Sequence, residues 1–165
     1  MFKKILSLTI IIVLIAAIGI FIYQLYFPKT GYLIFRSGEI KELIKGATIY
    51  ASPNCRCCSF YADYLRNQGI PVKVSYLDDI STIKSRYKIP INMQSCHTTI
   101  IDNYFIEGHV PIEAIIKLMK EKPNIAGISL PGMPPGSPGM TGIKRGPFQI
   151  YSIGHNGVIS LFTST

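Results

Sequence analysis

The chain has 165 residues, enough for one sizeable domain, and its 17 Lys and Arg against 9 Asp and Glu give a formal charge of +8. The basic residues are spread along the sequence with no dense run interleaved with aromatics, so nucleic acid is not indicated as a partner. There is no glycine-rich phosphate loop, no Ser/His/Asp arrangement and no acid–base carboxylate pair; Asp78, Asp79 and Asp102 read as caps and turn residues.

Behind Lys3 and Lys4, residues 5–22 carry no charge and consist mainly of Ile, Leu, Val, Ala and Phe. A helix rises about 1.5 Å per residue, so roughly 20 apolar residues span a bilayer core. Tyr23, Tyr26 and Phe27 follow, where amphipathic rings favour the interface, and Pro28 ends the helix. The positive-inside rule keeps the two lysines in the cytoplasm and the remainder outside. The expected organisation is a membrane anchor over 1–28, a connector over 29–46 and a domain over 47–165 in the periplasm or an equivalent outer space. A cleaved leader is the alternative, since Ala17-Ile18-Gly19 loosely resembles a cleavage site. The apolar continuation Ile20-Phe21-Ile22-Tyr23 suits an anchor better. Either version exports the domain, and its charge without Lys3 and Lys4, +6, suits a surface near anionic headgroups.

Within the connector, Tyr32-Leu33-Ile34-Phe35 reads either as an extra strand or as a stretch against the membrane. Ala47–Ala51 is the first regular strand, and residues 57–67 carry Phe60, Tyr64 and Leu65 at helical spacing with Gly69 as the stop. Residues 72–77 alternate as a strand, and Asp78-Asp79 cap a helix through Ile80, Ile83 and Tyr87 that Pro90 ends. Thr98-Thr99-Ile100-Ile101 and Tyr104-Phe105-Ile106 flank a hairpin turn at Asp102-Asn103. Residues 112–120 then form an amphipathic helix with Ile115, Ile116 and Met119 on one side. The order β-α-β-α-β-β-α predicts an α/β fold, a thioredoxin-like mixed sheet with flanking helices on both faces. Residues 123–147 are rich in Gly and Pro and predict a shaped flap containing neither helix nor central strand. Residues 148–153 and 158–162 predict a C-terminal β-hairpin through Asn156-Gly157.

Cysteine usage is the strongest chemical signal. Three of the four cysteines stand in Cys55-Arg56-Cys57-Cys58, at the junction of the first strand and helix, and the fourth stands in Ser95-Cys96-His97-Thr98. A helix N-terminus offers N–H donors and a positive dipole end, which favour thiolate over thiol. In the predicted fold the loop before the third strand lies against that junction, so Cys96 and His97 are expected beside Cys55, Cys57 and Cys58. Thiolates select Cu(I), Zn(II) or iron–sulfur clusters. Four thiolates on one Cu(I) leave a large buried negative charge, whereas several Cu(I) ions bridged by them approach neutrality. Zinc is the alternative, although the two separated Cys-x-x-Cys pairs usual in structural zinc sites are absent. Met133 and Met140 add thioethers in the Gly/Pro segment, where isolated methionines more often simply pack. His109 is a further candidate as ligand or supporting residue, a surface or capping role being the commoner case, and His155 falls in a hairpin turn.

Two other readings of the sulfurs stay open. One is a pair of structural disulfides, Cys55–Cys58 and Cys57–Cys96, of which the first staples very little chain. The other is thiol-disulfide exchange or copper oxidoreduction by the Cys55/Cys58 pair at the helix start.

The full set of motifs adds a family resemblance. Ser52-Pro53-x-Cys55-x-Cys57-Cys58 is followed by Ser95-Cys96-His97-Thr98 and by Tyr104-x-Ile106-Glu107-Gly108-His109-Val110-Pro111. Leu130-Pro131-Gly132-Met133-Pro134 and Gly136-Ser137-Pro138-Gly139-Met140 continue it. In order and spacing across residues 47–162 these resemble bacterial exported copper-resistance proteins of the CopG type. The resemblance implies a thioredoxin-like fold and copper bound through Cys55, Cys57, Cys58, Cys96 and His97. It also implies copper handling or resistance in an exported space, with metal ions, the membrane and other exported copper-handling proteins as partners. Arg56 stands where that family often has a small residue; a cation there lowers thiolate pKa without blocking ligation.

Overall fold

A computed structural model describes residues 13–19 and 37–165. The chain divides between Ile34 and Phe35 into two units. In the first, residues 13–19 are helical (α1), with Val13, Leu14, Ile15 and Ile18 exposed. The rest of the apolar run over 5–22, and the Tyr32-Leu33-Ile34-Phe35 stretch, lie outside the described residues. Among the described residues no helix is long and apolar enough to cross a membrane.

The second unit opens with α2 (Ser37–Leu43), a helix inside the segment read from sequence as a connector. Ile40 and Ile44 lie one helical turn apart and are both buried, and the helix packs on α5 (Ile112–Glu121). Between them run β1 (Ala47–Ala51), α3 (Arg56–Asn67), β2 (Val72–Tyr76), α4 (Ser81–Arg86), β3 (His97–Ile101) and β4 (Tyr104–Glu107). These follow the expected order closely. Gly69 stops α3 with φ +89°, a conformation that suits glycine. Asp79, one residue before the N-cap Ile80, holds the start of α4, its carboxylate accepting Ser81 N–H and Ser81 O–H, each at 2.8 Å.

All seven strands share one mixed sheet in the order β2-β1-β3-β4-β5-β6-β7, where β5 is Gly127–Ser129, β6 is Gln149–Ile153 and β7 is Ile159–Ser164. The β1–β2 and β4–β5 pairs are parallel and the other four antiparallel. Successive side chains of a strand point to opposite faces, and two apolar clusters follow that alternation. Ile49, Ile101, Ile106 and Ile128 pack with Tyr61 and Leu65 of α3 and Ile115 and Leu118 of α5. Phe105, next to Ile106, points the other way and packs with Ile89, Met93 and Tyr87 from the segment after α4. Helical segments therefore cover both faces.

One expectation fails. The Gly/Pro segment is expected to hold no central strand, yet β5 lies inside the sheet between β4 and β6. Its residues fall between Pro123 and Pro131, so every N–H from 124 to 130 remains available to a ladder. Gly127 is what lets the strand in, because a Cβ there would lie 2.2 Å from Phe105 O and 2.5 Å from the Phe105 ring. Gly127→Ala is accordingly expected to destabilise the domain by about 1–3 kcal/mol through overpacking. A urea unfolding midpoint unchanged by the substitution would contradict that assignment.

Candidate metal centre

The register of β1 and β3 builds the site. Ala51 pairs with His97, which carries Ser95 and Cys96 past the end of β3 and alongside the turn that follows β1. That turn is closed by Cys55 N–H donating to Ser52 O at 3.0 Å, and α3 begins at the next residue. Cys57 and Cys58 thus occupy the first turn of α3. Cys58 is fully buried, whereas Cys55, Cys57 and Cys96 are half-buried.

All five residues expected from the sequence meet here. Cys55 and Cys58 are joined as a disulfide, while Cys57 and Cys96 are free. The Cys57 sulfur lies 3.5 Å from Cys55 Sγ and 3.5 Å from Cys96 Sγ, and Cys58 Sγ lies 3.9 Å from Cys96 Sγ. Of the two bridges considered from sequence, the first is closed and the second is an open pair of thiols. Cys96 Sγ is the hub, because His97 Nδ1 and His109 Nε2 each approach it at 3.3 Å. The four sulfurs form one set of donor atoms, all within 4.8 Å of one another, and Cys96, His97 and His109 form a second. The two sets share a single sulfur.

His109 belongs to the site more firmly than its place in the sequence suggested. Its Nδ1 donates to Pro138 O at 2.7 Å, which fixes the tautomer and leaves the Nε2 lone pair facing Cys96. Gly108, at φ +78°, turns the chain out of β4, and Pro111, two residues beyond the histidine, is the N-cap of α5. Gly108 and Pro111 bracket the imidazole in sequence, but the carbonyl that orients it lies 29 residues away. Tyr61 of α3 forms the floor, its ring centroid 4.7 Å from that of His97 and 5.3 Å from that of His109. Its hydroxyl donates to Val110 O at 2.9 Å.

The Gly/Pro segment reaches the site through Pro138. Gly139 follows at φ +76°, and a Cβ there would come within 2.8 Å of Tyr61 N, so the loop lies directly on α3. Met133 is 36% exposed and Met140 half-buried. His155 sits exposed in the β6–β7 turn.

Burial governs the charge states. It pushes the Cys96 thiol up to about 12, reinforced by the neighbouring Cys57. The thiolate-favouring expectation concerns the Cys55–Cys58 helix start; Cys96, from the loop before β3, touches that start yet has its thiol raised by burial. Burial also holds His97 well below the ordinary histidine range, with His109 and Lys84 adding to the effect, and it lowers His109. Both imidazoles are therefore neutral near pH 7 and offer lone pairs. His97 Nε2 is buried without a hydrogen-bond partner among the described residues. A sulfur and two neutral imidazoles, with one nitrogen unsatisfied, are the donors that Cu(I) and Zn(II) accept.

A raised thiol pKa leaves less thiolate at a given pH, so Cys96 should be alkylated slowly in the metal-free protein. At pH 8, iodoacetamide is expected to modify it on the order of a thousandfold more slowly than an unperturbed cysteine of pKa about 8.5. The rate should climb with pH without an inflection below about pH 10. Mass mapping that showed an inflection near 8.5 would contradict the buried-thiol geometry.

Comparison with known proteins fits this arrangement. A family model described as "Protein of unknown function, DUF411" matches residues 93–140, which include Cys96, His97, His109 and Pro138. Two solved structures, titled "Copper resistance protein copG- Form 2" and "Copper resistance protein copG- Form 1", are each 36% identical to the chain and each cover 73% of it. The chain covers 97% of the first, with a TM-score of 0.68, and 96% of the second, with a TM-score of 0.67. No curated protein matches.

Proposed function

The chain belongs to the CopG copper-resistance family, and from that premise we propose that it binds Cu(I) at the Cys96-centred cluster and serves copper handling or resistance. The observation that carries this reading is the sharing of Cys96 Sγ between an all-sulfur set and a sulfur–imidazole set. A bridging thiolate with donors on both sides holds more than one ion, and several monovalent ions balance several thiolates. The proposed ligands are Cys55, Cys57, Cys58, Cys96 and His97, joined by His109. Using all four sulfurs requires two-electron reduction of the Cys55–Cys58 disulfide; otherwise Cys57, Cys96 and the histidines carry the site. We read the β2-β1-β3-β4 order, with α3 and α5 packed on one face, as thioredoxin-like.

We further propose that the domain is exported and held at a membrane by its N-terminal segment. The uncharged run over 5–22 and the exposed aliphatic side chains of α1 support this.

The reduced protein should take up more than one copper per chain by elemental analysis and retain it against equimolar Zn(II). Cys96→Ser should remove most of that copper, since it deletes the sulfur common to both donor sets. One zinc per chain that resists copper would overturn the Cu(I) reading. The Cys55–Cys58 disulfide at the start of α3 favours a second reading, thiol-disulfide or copper oxidoreduction by that pair. Under it, Cys55→Ser and Cys58→Ser abolish disulfide turnover while Cys96, His97 and His109 matter little. Under the copper reading, substitution of any of the six weakens Cu(I) binding.

A further inference from the structure

A buried ion pair lies beneath the centre, on the opposite face of the sheet. Glu107 at the end of β4 is fully buried and Lys84 of α4 is 5% exposed. The Lys84 ammonium donates to Glu107 Oε1, and to Thr98 Oγ1 at 3.3 Å. Glu107 Oε1 also accepts Ser95 N–H at 2.6 Å, while Oε2 accepts Thr98 O–H at 2.6 Å. One carboxylate therefore grips the residue before Cys96 and the residue after His97. Strand alternation makes this possible: Thr98 points down to the ion pair while His97 points up to Tyr61 and the sulfurs.

Stability alone is a poor account of such a pair, because apolar replacements of buried ion pairs are often neutral or stabilising. An apolar pair would, however, leave Ser95 N–H and the Thr98 hydroxyl without their acceptor. The same strand end leads directly to the histidine arm. Glu107 O accepts Leu130 N–H at 3.0 Å, and Gly108 N–H donates to His97 O at 3.2 Å. A Cβ on Gly108 would lie 2.8 Å from Ser95 Oγ, so the Cys96 loop and the His109 arm are packed against each other at this point.

We propose that Glu107, held in place by Lys84, is a positioning residue for the metal centre, fixing the Ser95–Thr98 segment so that Cys96 stands within reach of both donor sets. The inference rests on the copper reading for its affinity arm only. Its other arm is read on metal-free protein.

The test compares Glu107→Leu/Lys84→Met with Glu107→Gln/Lys84→Met, scoring thermal unfolding, amide hydrogen exchange over residues 95–97, and Cu(I) affinity by competition with a chromophoric Cu(I) chelator. The Leu/Met variant should still fold, less stable than wild type because Ser95 N–H and the Thr98 hydroxyl lose their acceptor, and should exchange at least about tenfold faster at Ser95. Its Cu(I) affinity should fall roughly 10–100-fold, as when a residue orienting a metal ligand is lost. The Gln/Met variant keeps an acceptor oxygen and should stay within about threefold of wild type on both measures. A folded Leu/Met variant with wild-type exchange at Ser95 overturns the proposal. Thr98→Val removes one grip while leaving the ion pair, and serves if the Leu/Met variant does not fold; unchanged exchange over 95–97 and unchanged affinity in it overturn the proposal equally. A wild type that takes no Cu(I) ends the copper reading and leaves exchange to decide this one.

Discussion

The antiparallel pairing of β1 with β3, with Ala51 opposite His97, is the constraint from which the centre follows. A strand ladder admits no half steps: a one-residue slip would send His97 to the far face and lift Thr98 into the site. The pairing thereby decides which of two adjacent residues faces sulfur and which faces the buried Glu107. It also brings Cys96 to Cys57 and Cys58 across 39 and 38 residues of sequence. The close approach of the sulfurs is a property of the sheet as a whole, and the turn before α3 adds only the local geometry of the Cys55–Cys58 segment.

Placing such polar groups in a dry interior has consequences for chemistry. Without a cation, burial keeps Cys96 protonated and both histidines neutral, so the centre carries little charge. Metal binding there would displace protons, since a thiolate is the form that ligates. The Pro138 carbonyl and the Tyr61 ring hold the two imidazoles at fixed angles to one sulfur, which lowers the reorganisation needed when an ion arrives. The Gly/Pro loop contributes through its backbone: a carbonyl on His109 and a glycine pressed against α3. The methionines that made it chemically suggestive are not its point of contact with the histidine.

Much of this was legible in the residues. Period-2 and period-3.6 patterns marked β1, α3, β2, β3, β4 and α5 nearly to their ends, and the spacing of Cys55, Cys57, Cys58, Cys96 and His97 foretold their convergence once strand order was inferred. Three things were not legible. The strand β5 is three residues long and opens on a glycine, so it carries no alternation to detect; its place depends on contact with Phe105. His109 lies outside any strand or helix, and its role depends on a carbonyl 29 residues away. The rise in the Cys96 pKa comes from burial, which sequence position at a strand–helix junction does not report.

The central claim is that Cys96 Sγ joins a sulfur environment to an imidazole one in a single copper centre. Copper K-edge X-ray absorption of the Cu(I)-loaded protein tests it most directly. The account predicts a mixed shell of sulfur and imidazole scatterers that is lost, both components together, in Cys96→Ser. A shell of a single ligand type, or a mixed shell that survives Cys96→Ser unchanged, would contradict it.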